Sequence, residues 1–170
     1  MKNRSRNLAH AALIAALYAV LTHLQNLLLP GSATWAIQCR LSEALCVLAL
    51  YTPAAVPGLG IGCLLFNLTF AAALPLDFFL GTAATVCAAA AMGALRHIRV
   101  KNYPLAAMLM PALFNGLLVG WELTVYIGGG FLLNAFYVAL GELIVLLTLG
   151  TVLLRVFEKR GLAARLFPET

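Results

Sequence analysis

Four acidic residues, Glu43, Asp77, Glu122 and Glu142, stand within or at the ends of long apolar runs. An ionisable side chain at the centre of a bilayer costs at least about 2.5–3.5 kcal/mol on insertion scales, so such a group faces a partner or a water-filled cavity. A carboxylate in that position is a strong acceptor, able to take two parallel N–H donors at once. Arg40, Ser42, Asn67, Thr82, Thr85, Asn115, Asn134 and Tyr137 accompany the acids. Asn115 and Glu122 are seven residues apart, which at 100° per residue puts them within about 20° of each other on one helix face. They are placed to line one cavity.

Each candidate also has a plainer reading. Arg40 and Glu43, three apart, are neighbours on a helix and form an internal ion pair as readily as they contact a ligand. Asn67 and Asn115 are equally suited to bridging helices, a contact worth about 0.6–2 kcal/mol in membranes. Thr82 and Thr85 are placed to bond the carbonyl one turn back, and Asp77, after Pro75, to cap a helix start. Glu122 and Glu142, each embedded in an apolar run, resist such readings most.

Enzyme signatures are missing. Serine occurs only at 5, 32 and 42 and never in G-x-S-x-G, and neither H-E-x-x-H nor a G-x-x-x-x-G-K-[ST] phosphate loop is present. Cys39, Cys46, Cys63 and Cys87 form no C-x-x-C pair, so they read as apolar fillers rather than a zinc site or disulfide framework. No metal or other cofactor is called for. Without a phosphate loop the chain cannot by itself use ATP in the P-loop manner, whereas proton coupling through Glu122 or Glu142 stays open.

The elements that hold these residues follow from composition. The 170 residues are 63% hydrophobic and 10% charged, against roughly 45–50% and about 25% for a soluble domain. With about 20 residues per span, a chain of this length holds about six spans. Gly, Pro and charged residues divide it into apolar segments at approximately 8–29, 39–52, 54–74, 77–95, 104–127 and 131–157. The expectation is an all-α, six-helix membrane bundle forming one domain over 1–170. The second segment is short, and Thr52-Pro53 with Pro57-Gly58 makes its join to the third a tight turn. Met1-Lys2-Asn3-Arg4-Ser5-Arg6 before an apolar run resembles a signal peptide, but the run continues to about Leu29 and is read as a retained first helix. The segment Pro30–Gln38 is too apolar for a mere linker and is placed either to lie on the membrane surface or to cap a cavity.

Charge sets the orientation. Lys2, Arg4 and Arg6, then Arg96, Arg99 and Lys101, then Arg155, Lys159, Arg160 and Arg165 fall on one side, and only Arg40 on the other. Because Lys and Arg resist translocation, that side and both termini are cytoplasmic. This distribution explains the net charge of +5 without nucleic acid. Ala11, Ala15 and Ala19, with Ala12 and Ala16 beside them, make a small-residue stripe on the first helix. Such a stripe allows close approach of another helix, from this chain or from a partner.

Taken in order, these positions resemble a known family. Arg40-Leu41-Ser42-Glu43-Ala44-Leu45, Gly62-Cys63 with Asn67, Asp77 followed by Gly81-Thr82-Ala83-Ala84-Thr85, Asn115-Gly116 with Gly120-Trp121-Glu122-Leu123, and Gly141-Glu142 resemble the QueT-type queuosine-precursor transporters. Those are substrate-binding S components of energy-coupling factor (ECF) transporters. The resemblance covers essentially the whole chain. It implies a multi-pass protein of a bacterial cell membrane with a pocket near the outer surface, beneath the loop joining the first two helices. It further implies docking, through Ala11, Ala15 and Ala19, onto a transmembrane coupling subunit that carries two ATPase subunits. The implied ligand is a 7-deazaguanine: queuine, preQ1 or preQ0. Arg40, Glu43, Asn67, Asp77, Asn115, Trp121, Glu122, Tyr137 and Glu142 are the implied binding residues. Glu122 or Glu142 would read the base edge with Asn67 or Asn115. Trp35, Trp121 or Tyr137 would stack on the ring, and Asp77 or Glu43 would meet a cationic amine. The alternatives are an S component for another vitamin or nucleobase-like solute, a stand-alone proton-coupled carrier, or a small intramembrane enzyme.

Overall fold

The computed structural model describes residues 2–32, 38–70 and 73–168, and these are all-helical apart from turns and one isolated bridge, Val100 with Tyr103. The order is α1 (Lys2–Leu28), a 3-10 helix (Leu41–Leu50), α2 (Ala55–Thr69), α3 (Asp77–Ala94), α4 (Leu105–Met108), α5 (Met110–Tyr126), α6 (Phe131–Val145), a π-helical turn (Leu146–Gly150), α7 (Thr151–Lys159) and α8 (Leu162–Leu166). Among the described residues four stretches are long and apolar enough to cross a membrane: Arg4–Leu28, Asp77–Ala94, Leu105–Tyr126 and Phe131–Lys159. Leu41–Leu50 and Ala55–Thr69 are shorter apolar helices. Large apolar side chains such as Leu13, Leu17, Val20 and Leu24 are exposed around the bundle, the pattern of a surface solvated by lipid rather than water.

Two boundaries differ from the sequence expectation. Helix α1 begins at Lys2 rather than near residue 8, because Lys, Asn, Arg and Ser end an apolar span without ending a helix. Helix α2 stops at Thr69 rather than near 74, and Phe70 is already extended.

The short second segment is the centre of the molecule. As a 3-10 helix at about 2.0 Å per residue it covers about 20 Å, a third more than an α-helix of equal length. Eight of its ten residues, Ser42, Glu43, Ala44, Cys46, Val47, Leu48, Ala49 and Leu50, are buried, which accounts for its apolar character on all sides. Positions three apart eclipse in this geometry, and Cys46 lies beneath Glu43, its thiol donating to Glu43 Oε2 at 3.1 Å.

Small residues let the surrounding helices close in. A Cβ on Gly58 would lie 2.8 Å from the Ala11 carbonyl oxygen, and one on Gly62 would lie 2.7 Å from that of Ala15. Ala11 and Ala15 are accordingly buried against α2. On α5, a Cβ on Gly120 would lie 2.6 Å from Ala135 Cα on α6. These contacts fix α1 to α2 and α5 to α6 at backbone distance.

Candidate functional site

The chain reaches the site through a clamp on α1. Gln25 donates to the Cys39 carbonyl at 2.6 Å and to Ser32 Oγ at 2.9 Å, and its Oε1 accepts from the Leu41 amide at 2.8 Å. Arg40, between these two anchored residues, is driven inward and is 2% exposed. On the other side Gly141 lies against the Gln38 backbone, and Gln38 is buried.

Arg40 pairs with Asp77, Nη2 to Oδ2 at 3.3 Å, and not with Glu43 three residues on. Asp77 opens α3 but makes no side-chain cap; its carboxylate serves the ion pair, while its carbonyl accepts from Asn67 Nδ2 at 2.8 Å. Gly81 permits this arrangement, since a Cβ there would lie 2.5 Å from Asp77 Oδ1.

Glu43 is the anchor of a separate, satisfied network. Tyr18 on α1 donates its hydroxyl to Oε1, Thr85 on α3 donates to the same oxygen at 3.3 Å, and Cys46 serves Oε2. Thr22 extends the network, donating to the Tyr18 carbonyl and contacting Ser42 Oγ at 2.7 Å. Three elements are thus joined through one carboxylate.

Glu122 on α5 and Glu142 on α6 are different. Both are almost fully buried, yet among the described residues neither oxygen of Glu122 receives a hydrogen bond, nor does Glu142 Oε2. Glu122 lies within electrostatic range of Asp77 and Arg40, and Glu142 within range of Glu43 and Arg40. Of the four acids Asp77 is the one in contact with Arg40, and the other three feel its charge from further off. A cavity of about 90 Å³ is lined by Gln38, Ala73, Leu74, Asp77, Val119, Glu122 and Ile127. Asn67 Oδ1 and Asn115 Nδ2 are also buried without a partner among the described residues. Asn115 shares the Glu122 face at a depth about 10 Å further along α5, given a rise of 1.5 Å per residue.

A family model described as QueT transporter matches residues 8–159. The chain belongs to the QueT transporter family. No curated protein and no solved structure matches it. Membership accounts for an apolar helical chain with acceptors buried in it: a QueT transporter must present polar groups to a solute inside a protein that is otherwise solvated by lipid.

The aromatic candidates do not converge on this cavity. Trp121 is 49% exposed and does not line it; next to Glu122 in sequence, it points about 100° away around the helix. Tyr137 is half-buried and packs beside Phe136. Trp35 and most of the segment 30–38 lie outside the described residues. Asn134 braces the turn between α5 and α6, donating to Thr124 Oγ1 and the Gly128 carbonyl, each at 3.0 Å.

Two site residues were missed in the sequence. Gln38 lines the cavity, and Gln25 positions Arg40. A signal for Gln25 existed: Ala11, Ala15, Tyr18, Thr22 and Gln25 recur at helical spacing, so the polar end of α1 continues the face that its alanines bury.

Proposed function

We propose that this QueT transporter is the substrate-binding S component of an ECF-type importer, six helical spans with both termini cytoplasmic, capturing a 7-deazaguanine queuosine precursor. The observation that carries this reading is Glu122: a wholly buried carboxylate with both oxygens unbonded among the described residues, bordering a cavity that also touches Asp77 and Gln38. Leaving a buried acceptor unsatisfied costs about 1–3 kcal/mol, and more for a charged group. A ligand that supplies paired donors removes that cost.

The orphan atoms match a 7-deazaguanine in kind. Glu122 Oε1 and Oε2, Glu142 Oε2 and Asn67 Oδ1 are acceptors, with the Asn115 amide nitrogen as the donor. Free 7-deazaguanines are rich in donors, through the ring N–H groups and the exocyclic amine, and offer the ring carbonyl as an acceptor. Glu122 takes the ring N–H and exocyclic amine in parallel, whereas Asn115, about 10 Å along α5 and outside the cavity lining, is not placed to reach the adjacent carbonyl. Glu142 is left for an amine on the substituent, which favours preQ1 and queuine over the nitrile preQ0. The cavity lies well below the roughly 300–1,000 Å³ usual for small-molecule sites, so a bicyclic base enters only as the wall of Ala73, Leu74 and Ile127 yields.

Partner docking follows from the outward face of α1. Ala11 and Ala15 are occupied by α2 and Ala19 is half-buried, whereas Ala12 and Ala16 are exposed. The coupling subunit therefore meets the Ala12–Ala16 side, and its two ATPase subunits supply the energy. Titration of queuine, preQ1 and preQ0 into purified protein tests the ligand. Removing a charge-assisted pair weakens binding by about 10- to 150-fold, so Glu122→Gln should lose that much. Unchanged affinity in Glu122→Gln removes the reading. Co-purification of a coupling subunit and ATPases tests the assembly, and transport by the chain alone under a pH gradient contradicts it.

A further inference from the structure

A second cavity, of about 590 Å³, opens at the far end of the bundle and is lined by residues including Leu50, Tyr51, Arg96, His97, Arg99 and Phe167. Its walls are built rather than incidental. Lys101 and Asn102 both adopt the left-handed conformation, φ 49° and 65°, closing a tight turn in which Val100 and Tyr103 exchange backbone hydrogen bonds of 2.9 and 3.0 Å. Arg99 locks the turn, donating to the Asn102 carbonyl at 3.2 Å and to Glu158 on α7 at 2.7 Å. Tyr103 and Thr151 hydroxyls meet at 2.7 Å. The opposite wall is aromatic: Tyr51 stacks on Phe157, and Phe157 on Phe167, which also meets His10 edge-on.

The polar groups facing this space are unevenly matched. Arg99 is neutralised by Glu158. Arg96, half-buried, donates its Nε to His97 Nε2 at 3.1 Å, and among the described residues no acid pairs with it. The Tyr51 hydroxyl is buried without a hydrogen-bond partner among the described residues. A guanidinium has only donors, and a phenol that has given up water needs an acceptor. A planar cationic fork beside a second O–H donor fits a tetrahedral oxyanion, the geometry in which Arg is preferred for phosphate. Leu50, Ala163, Ala164 and Pro168 supply an apolar border.

We propose that this cavity binds a phosphate group through Arg96 and the Tyr51 hydroxyl, with His97 at its edge, the phosphate being carried by an anionic phospholipid headgroup or by a soluble phosphate compound. The site is separate from the Glu122 cavity and shares no lining residue with it. Binding here therefore stands or falls independently of the transported ligand.

The test uses the full chain, purified and exchanged into detergent. In one arm, phosphatidylglycerol or phosphatidylcholine is added and retained lipid is counted by native mass spectrometry. In the other, inorganic phosphate is titrated and followed by phosphorus NMR line broadening. Arg96→Gln should lower retention of phosphatidylglycerol, or binding of phosphate, about fivefold, the worth of one cation at a membrane surface. Tyr51→Phe, which keeps the ring stack, should lower it in the same arm and guards against a folding defect in Arg96→Gln. Arg155→Gln removes a cation outside this cavity and should change neither arm. An effect confined to phosphatidylglycerol assigns the lipid, and one on inorganic phosphate assigns a soluble source. Equal binding by wild type, Arg96→Gln and Tyr51→Phe in both arms overturns the proposal, as does an equal loss in Arg155→Gln.

Discussion

Glu43 and Glu122 are both wholly buried carboxylates, and their surroundings differ completely. Glu43 collects a phenol, a threonine hydroxyl and a thiol from three elements; Glu122 collects nothing among the described residues. The first half of the chain thus uses its polar groups to fix α1, the 3-10 helix and α3 around Arg40 and Asp77. The second half presents Glu122 to a cavity. A buried charge that holds a fold together is already paired, whereas one that awaits a solute is not.

The largest change expected from disturbing this division comes at Arg40. Arg40→Met leaves the Asp77 carboxylate buried without its guanidinium and should cost about 3–5 kcal/mol, read as a lowered unfolding midpoint in detergent. Stability equal to wild type would mean that the pair does not hold this end of the bundle.

A smaller effect compares the two glutamates directly. Glu43→Gln confronts the Tyr18 and Thr85 donors with an amide and should destabilise by about 1–3 kcal/mol. Glu122→Gln should be neutral or stabilising, because it removes an unpaired buried charge. Equal losses in both variants would erase the distinction.

Gln25→Leu keeps the bulk but breaks the clamp on Cys39 and Leu41. It should cost about 1 kcal/mol per hydrogen bond lost, with ligand affinity falling alongside because Arg40 is no longer fixed. Wild-type affinity in this variant would show that Arg40 is positioned by other means. Thr85→Val should be mildest, near the roughly 0.6 kcal/mol average for hydrogen bonds between membrane helices, and thermal melting is the measurement.

Much of this was legible in the sequence because charge is scarce in it. Apolar length and punctuation located the helices, and the cost of burying an acid singled out Glu43, Asp77, Glu122 and Glu142. Pairing was not legible. Arg40 and Glu43 are sequence neighbours, but the partner is Asp77, 37 residues away, brought in because Gln25 and Gly141 steer the chain between them. A 3-10 pitch is likewise invisible in a short apolar run, since apolar character does not distinguish it from an α-helix. The alanines of α1 showed a stripe without showing its occupant; Gly58 and Gly62 on α2 supply it. Trp121 was placed at the ligand by residue type, although its position one residue from Glu122 turns it outward.

The central claim is that Glu122 is held unbonded for a ligand. Its most direct test is to titrate preQ1 into purified wild type and Glu122→Gln while recording the melting temperature of each without ligand. The expected result is a large loss of affinity in Glu122→Gln with melting unchanged or raised. Retained affinity, or a loss accompanied by a melting drop as large as that of Glu43→Gln, would contradict it.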